Sequence, residues 1–558
     1  MKNRIFYLLG TGLVALSLTS CDLDINIDPY DVTKLDLNQL LTCTEYEVGA
    51  AFSEGYYLNS NFGAYVQHTT SREIDNYSLV ANYSTLGNTW EQAYKYAIKN
   101  CDEMIKQGDE QKCPTYAGIG RVLRVYTYMN MVDLWGDIPY SQANVEGIES
   151  PEADSSVDIY NDLLKVINQA IENFKANGTE SITIGSNDLF YAGNKAKWLK
   201  AANTLKLKLL TQSRLAKDQI DGWSSELSAL IAENNFMADG DDLQFPHSKA
   251  ETPSDERNSG FVDEYAGGQK SVWINPWLYE IMNGKTYNVK KNPLANIVDP
   301  RCPYYYYCQA TEDQEASNKT DYRDGAFISI FMGSNSGFSS GTQEDVMTCV
   351  GIYPVGGQFD EGKGGKIDQK KGSAAAPDKM LLAYSVPFMK AELILAGEIT
   401  GDARQSLTEG ILSSIAHVNS VTKTCDATVP SISMEASRNF VGNVLTKYDN
   451  ASADGKLEIV MTEKWIANFY NSVEAYSDIR RTGYPVLFNG QNNGDRKIYT
   501  PYEQTEEAVP AAVPVEYESV KILDYPRIMW YPDGETQVNK NISNVGRIVS
   551  KKTVFWDK

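Results

Sequence analysis

Helical periodicity is the strongest constraint on this chain. From about residue 36 to 236, apolar residues recur at helical spacing and are broken at short intervals by Gly or Pro. Trp90 to Lys106 reads as one helix, stopped before Gly108. Pro114 suits a first helical position and opens the next, which carries Ile119, Val122, Leu123, Tyr126 and Met129 on one face and ends near Gly136. Val157 to Phe174 repeats the pattern, and Trp198, Ala202, Leu205 and Leu209 stripe a basic helix. The period returns at Ser385, with Phe388, Ala391 and Leu395 on one face before Gly397, then Ala403, Leu407, Ile411, Ile415 and Val418. Residues 385–418 make a 34-residue pair, the length of one tetratricopeptide unit. Lys456 to Ile479 reads as a last helix, followed by a Pro- and Tyr-rich tail.

Between these helical stretches the pattern changes. Residues 240–375 hold 16 of the chain's 41 glycines, helical period fades, and short β-like runs appear at Tyr304 to Cys308 and Phe327 to Met332. An irregular insertion on a helical body is where binding groups are expected. The predicted fold is mainly α, with tetratricopeptide-like hairpins as scaffold and a large loop and short-strand insertion carrying the binding face. The helical scaffold would cover 36–239 and 376–485, the insertion 240–375, and an irregular tail 486–558, all within one body spanning 36–558.

The N-terminus is a separate element. Lys2 and Arg4 precede an apolar run, Ile5 to Leu18, that is too short for a permanent membrane span and reads as an export signal over residues 1–20. Leu18-Thr19-Ser20-Cys21 resembles a bacterial lipobox, making Cys21 the expected lipidation site and 21–35 an acidic tether. Loss of the two basic residues takes the net charge from −22 to −24. So acidic a chain lacks the cationic surface that binds phosphate backbones, and nucleic acid is excluded as a partner.

No enzyme signature survives inspection. Gly337 to Gly341 matches the Gly-x-Ser-x-Gly elbow around Ser339, but Thr342-Gln343-Glu344-Asp345 begins no apolar helix behind it. Gly357 to Lys363 starts like a phosphate loop, then places Gly364 where Ser or Thr must hold Mg²⁺. Asp24, Asn26 and Asp28 open like a calcium loop that fails at Pro29 and Leu35. His68, His247 and His417 are far apart in sequence and leave little room for a metal cage or a proton relay. No metal or cofactor is expected. The seven cysteines after Cys21 contain no CxxC pair; Cys302 with Cys308, or Cys101 with Cys113, would bridge only if geometry allowed.

Several segments, in order along the chain, resemble the SusD/RagB family of surface lipoproteins. They are the lipobox at Cys21; Arg121 to Tyr140, with its DLWGDIPY corner; Trp198 to Leu207; and Lys390-Ala391-Glu392-Leu393 with the helix reaching Gly410-Ile411. Glu463-Lys464-Trp465 through Asp478 to Pro485 follows, then Tyr525-Pro526-Arg527 with Tyr531-Pro532 and Glu535. The resemblance implies a tetratricopeptide-supported lid over a SusC-like TonB-dependent transporter, anchored by lipid in the outer membrane and facing the cell exterior. It implies capture of oligosaccharides or polysaccharides without catalysis. A peptide-capturing RagB-type lid is the nearest alternative, and a lipid-anchored hydrolase resting on Ser339 the remotest. Within the matching segments, Trp135 and Trp465 are expected as core anchors, and Arg480 and Arg481 as ties to acidic neighbours.

Ligand residues vary in such a family, so they are sought by chemistry. Sugars present apolar C–H faces to aromatic rings and hydroxyls to polar side chains. Two regions qualify. Tyr56 to Tyr83 offers Tyr65, Arg72, Asp75 and Tyr77, and the Gly-rich middle offers Trp273, Trp277, Tyr304 and Tyr306. Trp273 and Trp277 have one-face helical spacing, and Tyr304 to Tyr307 would alternate in an extended strand.

Overall fold

The computed structural model describes residues 35–53, 56–71, 86–177, 180, 182–262, 265, 272–312, 322–331, 345–352, 363–365, 367, 374–488, 498–500, 513–515 and 525–557. A capping box starts the first helix, α1 (Leu37–Ala51): Asp36 accepts from the Gln39 amide while Gln39 reaches back to the Asp36 amide. The helix anticipated from Trp90 is Gly87–Glu91, a π-helical stretch Gln92–Ile98, and then α2 (Lys99–Glu110). Pro114 opens α3 (Pro114–Trp135), which is buried on nearly every side and is the central rod of the first half. Small residues let its neighbours close in. A Cβ on Gly118 would lie 2.8 Å from the Phe174 ring, and one on Gly120 2.9 Å from Ile105. Helix α2 packs on α3, α3 on α4 (Ser156–Lys175), and α4 on α5 (Lys195–Gln212).

The second half repeats this logic. Helices α6 (Ser385–Leu395) and α7 (Ala403–Cys425) form the expected pair, with Asp402 capping α7 through the Arg404 and Gln405 amides. Helix α8 (Met434–Asp449), which the apolar spacing did not single out, packs on α7 and buries Phe440, Val441, Val444 and Tyr448. The single helix expected over Lys456–Ile479 is instead two, α9 (Ala453–Ala467) and α10 (Ser472–Thr482). Tyr470 turns the chain with φ +64°, yet Trp465, Ile466, Phe469 and Tyr470 are all buried across the break. The apolar spacing therefore gave no stop signal.

The DLWGDIPY corner is fixed by the C-terminal segment. Gly136 ends α3 at φ +77°, ψ −119°, a conformation L side chains rarely adopt. Around it, Met529 donates to the Leu134 carbonyl, Trp135 Nε1 to the Trp530 carbonyl, and Tyr531 to the Asp137 carbonyl. Trp556 is fully buried, as are Ile528, Met529 and Val554, so parts of the segment expected as an irregular tail enter the core. Gly136→Ala is expected to cost about 1–3 kcal/mol through backbone strain, seen as a lowered thermal midpoint. An unchanged midpoint would show that the corner relaxes freely.

Charges as well as apolar groups fill the middle. Lys464 meets Glu474 at 3.1 Å and Asp478 at 2.7 Å, Lys208 also meets Glu474, and Arg481 joins Asp478 to Glu392, so α5, α6, α9 and α10 share one buried network. Burial opposes ionisation of Glu474, but the two lysines prevail and hold it down at about 2. Trp135 and Trp465 are buried anchors, and Arg481 ties to acids as expected. Arg480 does not. It donates to the carbonyls of Asp133 and Arg527 and lies over the Tyr476 and Trp556 rings.

Within the insertion, Cys302–Tyr305 is a helical turn and only Tyr306–Tyr307 is a strand, paired with Cys349–Val350. The tyrosine run therefore does not alternate along one strand. Trp273 sits on the strand Val272–Ile274 and Trp277 on the helix Pro276–Met282, so they share no helix face. All seven described cysteines are thiols, so neither Cys302 with Cys308 nor Cys101 with Cys113 is bridged. Among the described residues no helix is long and apolar enough to cross a membrane.

Candidate functional site

The two regions singled out by chemistry meet in one ladder. Strand Thr69–Ser71 pairs antiparallel with Val272–Ile274, Thr70 opposite Trp273 and Ser71 opposite Val272. Ile274 donates to the Thr348 carbonyl and Ser329 to the Ile274 carbonyl, which adds the segments around 329 and 348. The ladder is pinned to the helical scaffold by reciprocal bonds. Trp465 Nε1 donates to the Val66 carbonyl at 2.9 Å, and His68 Nε2 meets the Trp465 carbonyl at 2.9 Å. Burial pushes His68 down to about 3, so it is neutral and structural. Gln67, at φ +58°, exchanges two side-chain bonds with the backbone of Phe488 and draws in the segment after α10.

Aromatic rings underlie this junction as a packed floor. Tyr279 stacks on Phe327 with centroids 3.8 Å apart, and Phe488 contacts Phe331 and Trp277. The rings expected to touch ligand are part of that core. Tyr65 is 0% exposed, between Phe62 and Tyr476, and Trp273 is 1% exposed. Trp277 is buried and donates to the Val486 carbonyl at 3.1 Å. Tyr304 is buried and donates to Pro430, and Tyr306 is buried and accepts from Asn283. Ligand contact does not fit these five positions, because each ring is buried within the protein and has little face left to offer. Cys21, Arg72, Asp75, Tyr77 and Ser339 lie outside the described residues.

Away from the ladder the surface is hollowed by a cleft that the sequence does not announce. A cleft of about 420 Å³ runs between α7 and the segment Asp239 to His247, with Phe190 and Tyr191 at one side. A neighbouring hollow of about 590 Å³ shares Asp239 and Ser413 with it. His247 and His417, 170 positions apart in sequence, line the same cleft, each paired with a carboxylate: His247 with Asp378 at 2.9 Å, His417 with Asp242 at 3.2 Å. Their separation in sequence had hidden that meeting. The only local signal is the run Ser413, Ala416, His417, Ser420, Thr424, polar or small at helical spacing on one face of α7. Among the described residues no group of three or more His, Cys, Asp or Glu is placed to hold a metal.

Comparison with known proteins places the chain. The SusD-like family profile described as "Starch-binding associating with outer membrane" matches residues 29–502. No protein of curated function matches by sequence. Similar solved structures include a SusD/RagB family protein from Bacteroides thetaiotaomicron, at 17% identity and TM-score 0.68, covering 94% of this chain and 99% of that one. A chitin-binding protein matches at 19% identity and TM-score 0.66, covering 94% and 100%. A SusD homolog from Bacteroides fragilis matches at 16% and 0.64, covering 94% and 100%. At such identities these structures speak for the fold alone, while the profile spans most of the sequence. The chain therefore belongs to the SusD/RagB family and is a non-catalytic, SusD-like surface binding protein.

Proposed function

We propose that this protein captures oligosaccharides or polysaccharides at the cell surface and delivers them to a partner TonB-dependent outer-membrane transporter. In this reading residues 1–20 are removed, lipid on Cys21 holds the body to the outer membrane, and Arg72, Asp75 and Tyr77 supply ligand contacts. The observation that carries it is the ladder of Thr69–Ser71 with Val272–Ile274, which joins the two regions singled out by chemistry above packed aromatic rings. Loops rooted on such a floor present polar and aromatic groups without paying to order their base. The family description names starch, and one structural relative binds chitin; both are polysaccharides.

Native-gel affinity electrophoresis of the mature chain across a glycan panel tests this. At least one polysaccharide should retard it, and Arg72→Ala with Tyr77→Ala should restore mobility. Retardation by no glycan, with peptides bound instead, would establish the peptide-lid alternative.

A further inference from the structure

We propose that residues 248–257 form a flap whose base is latched by the imidazolium of His247 and loosened when that ring loses its proton. The device rests on no ligand assignment. The excursion leaves the strand Leu243–Phe245 and returns at Asn258, and every residue from Glu251 to Glu256 is exposed. One buried carboxylate grips both ends. Asp378 is 2% exposed; its Oδ2 meets His247 Nε2 at 2.9 Å, and its Oδ1 accepts from Asn258 Nδ2 at 3.0 Å. Pro246 and His247 also line the cleft of about 420 Å³, which places the base of the flap at its edge.

The latch needs two protons on one ring. Nδ1 of His247 faces the Glu256 carbonyl at 3.2 Å while Nε2 faces Asp378, and a carbonyl and a carboxylate only accept. An imidazolium donates to both. A neutral imidazole has one N–H and turns a lone pair toward the other partner. The bond to the carboxylate is the stronger, so the proton stays on Nε2 and the Nδ1 contact fails. That contact joins the two arms of the flap, beside the Ser248 amide, which donates to the same Glu256 carbonyl at 3.0 Å. The other end is held by more than Asp378. Asn258 donates from its amide to the Ala374 carbonyl at 2.8 Å and from Nδ2 to the Ala376 carbonyl at 2.9 Å. Release is therefore one-sided, with Asn258 as the hinge.

Burial disfavours the charged ring, but the hydrogen bond to Asp378, that carboxylate's charge and the Glu256 carbonyl outweigh it and raise His247 above its ordinary 6.5. The other charges around it have partners of their own. Lys379, next to Asp378 on the strand Asp378–Leu381, donates to the Ala467 and Phe469 carbonyls at 3.0 and 2.7 Å. Along the cleft, Asp242 meets His417, Lys197 meets Asp241 and Asp239 accepts from Ser413. On the flap, Arg257 pairs with Glu251 and Asp255, the Glu256 carboxylate accepts from Ser248, and the charge of Lys249 reaches Asp426. A histidine raised in the folded state contributes stability that is complete below 6.5 and is lost as pH climbs through the raised value. The flap is thus seated in mild acid and loosens toward alkaline pH.

Two measurements on the mature protein test this. NMR of the histidine-labelled chain reports three imidazoles, and the resonance missing from His247→Gln belongs to this ring. It should titrate with a midpoint above 6.5, and in Asp378→Asn, which keeps an acceptor without the charge, the midpoint should fall. Hydrogen exchange, corrected for the intrinsic effect of pH, should show residues 247–257 of the wild type about fivefold less protected at pH 8.5 than at pH 6. In His247→Gln, which offers an amide donor and no titrating charge, protection should not change between those values. A midpoint at or below 6.5, an unmoved midpoint in Asp378→Asn, constant protection in the wild type, or the wild-type change repeated in His247→Gln would each overturn the proposal. If a variant fails to fold, the wild-type exchange alone decides.

Discussion

Replacing Arg301 by methionine is expected to cost about 3–5 kcal/mol at pH 8, because removing one partner of a buried ion pair strands the others. Arg301 is fully buried and bonds Asp299 through two nitrogens, Glu463 at 2.7 Å and Ser414 at 2.8 Å. It stands at the start of the Cys302–Tyr305 turn, Glu463 lies on α9 and Ser414 on α7, so one side chain ties the insertion to both hairpins of the second half. Methionine keeps much of the volume, so the loss measured is chiefly electrostatic. The pH dependence has a definite sign. Burial lifts Glu463 to about 7 even though Arg301 pulls it down. A carboxyl raised in the folded state contributes stability that is complete below its ordinary range near 4.5 and is lost as pH climbs through 7. Without Arg301, burial acts unopposed and the loss extends to higher pH. The gap between wild type and variant should therefore widen above pH 7 and narrow at pH 5, as urea denaturation at the two pH values would show. An equal gap at both would mean Glu463 does not carry the effect.

Where sequence reading succeeded, local chemistry carried the information. Pro114 and Gly136 bracket α3 at the positions their backbone preferences dictate, and α6 and α7 appear with the expected spacing. It failed where local chemistry is ambiguous. The chain breaks at Tyr470 without interrupting the apolar rhythm, and strands two to four residues long, such as Tyr306–Tyr307, are too brief for a period to register. It failed again where partners are remote. Thr70 and Trp273 pair across some two hundred residues, and His247 meets the wall of His417 only because α7 lies against residues 239–247. Aromatic enrichment in a loop-rich region was visible, but whether a ring faces solvent or floor depends on what packs above it. For Trp273 the answer is floor.

Trp273→Ala is accordingly expected to cost about 3–5 kcal/mol, the range for emptying a buried tryptophan site. The ring sits mid-strand opposite Thr70, so the void would open in the ladder that joins the two loop-bearing regions. Loss of glycan retardation in that variant would follow from loss of structure and would not identify a contact. Trp273→Phe separates the two explanations. Trp273 Nε1 is buried without a hydrogen-bond partner, so phenylalanine removes an unsatisfied donor while leaving a smaller void. These effects oppose each other, and the net loss should stay below about 2 kcal/mol. Circular dichroism on heating should show Trp273→Phe folded at assay temperature and Trp273→Ala strongly shifted down. In the folded variant, glycan retardation should match wild type, because a ring 1% exposed has no face to offer a sugar. Retardation abolished in Trp273→Phe with its melting intact would return this residue to the ligand site and would require the ladder to open on binding.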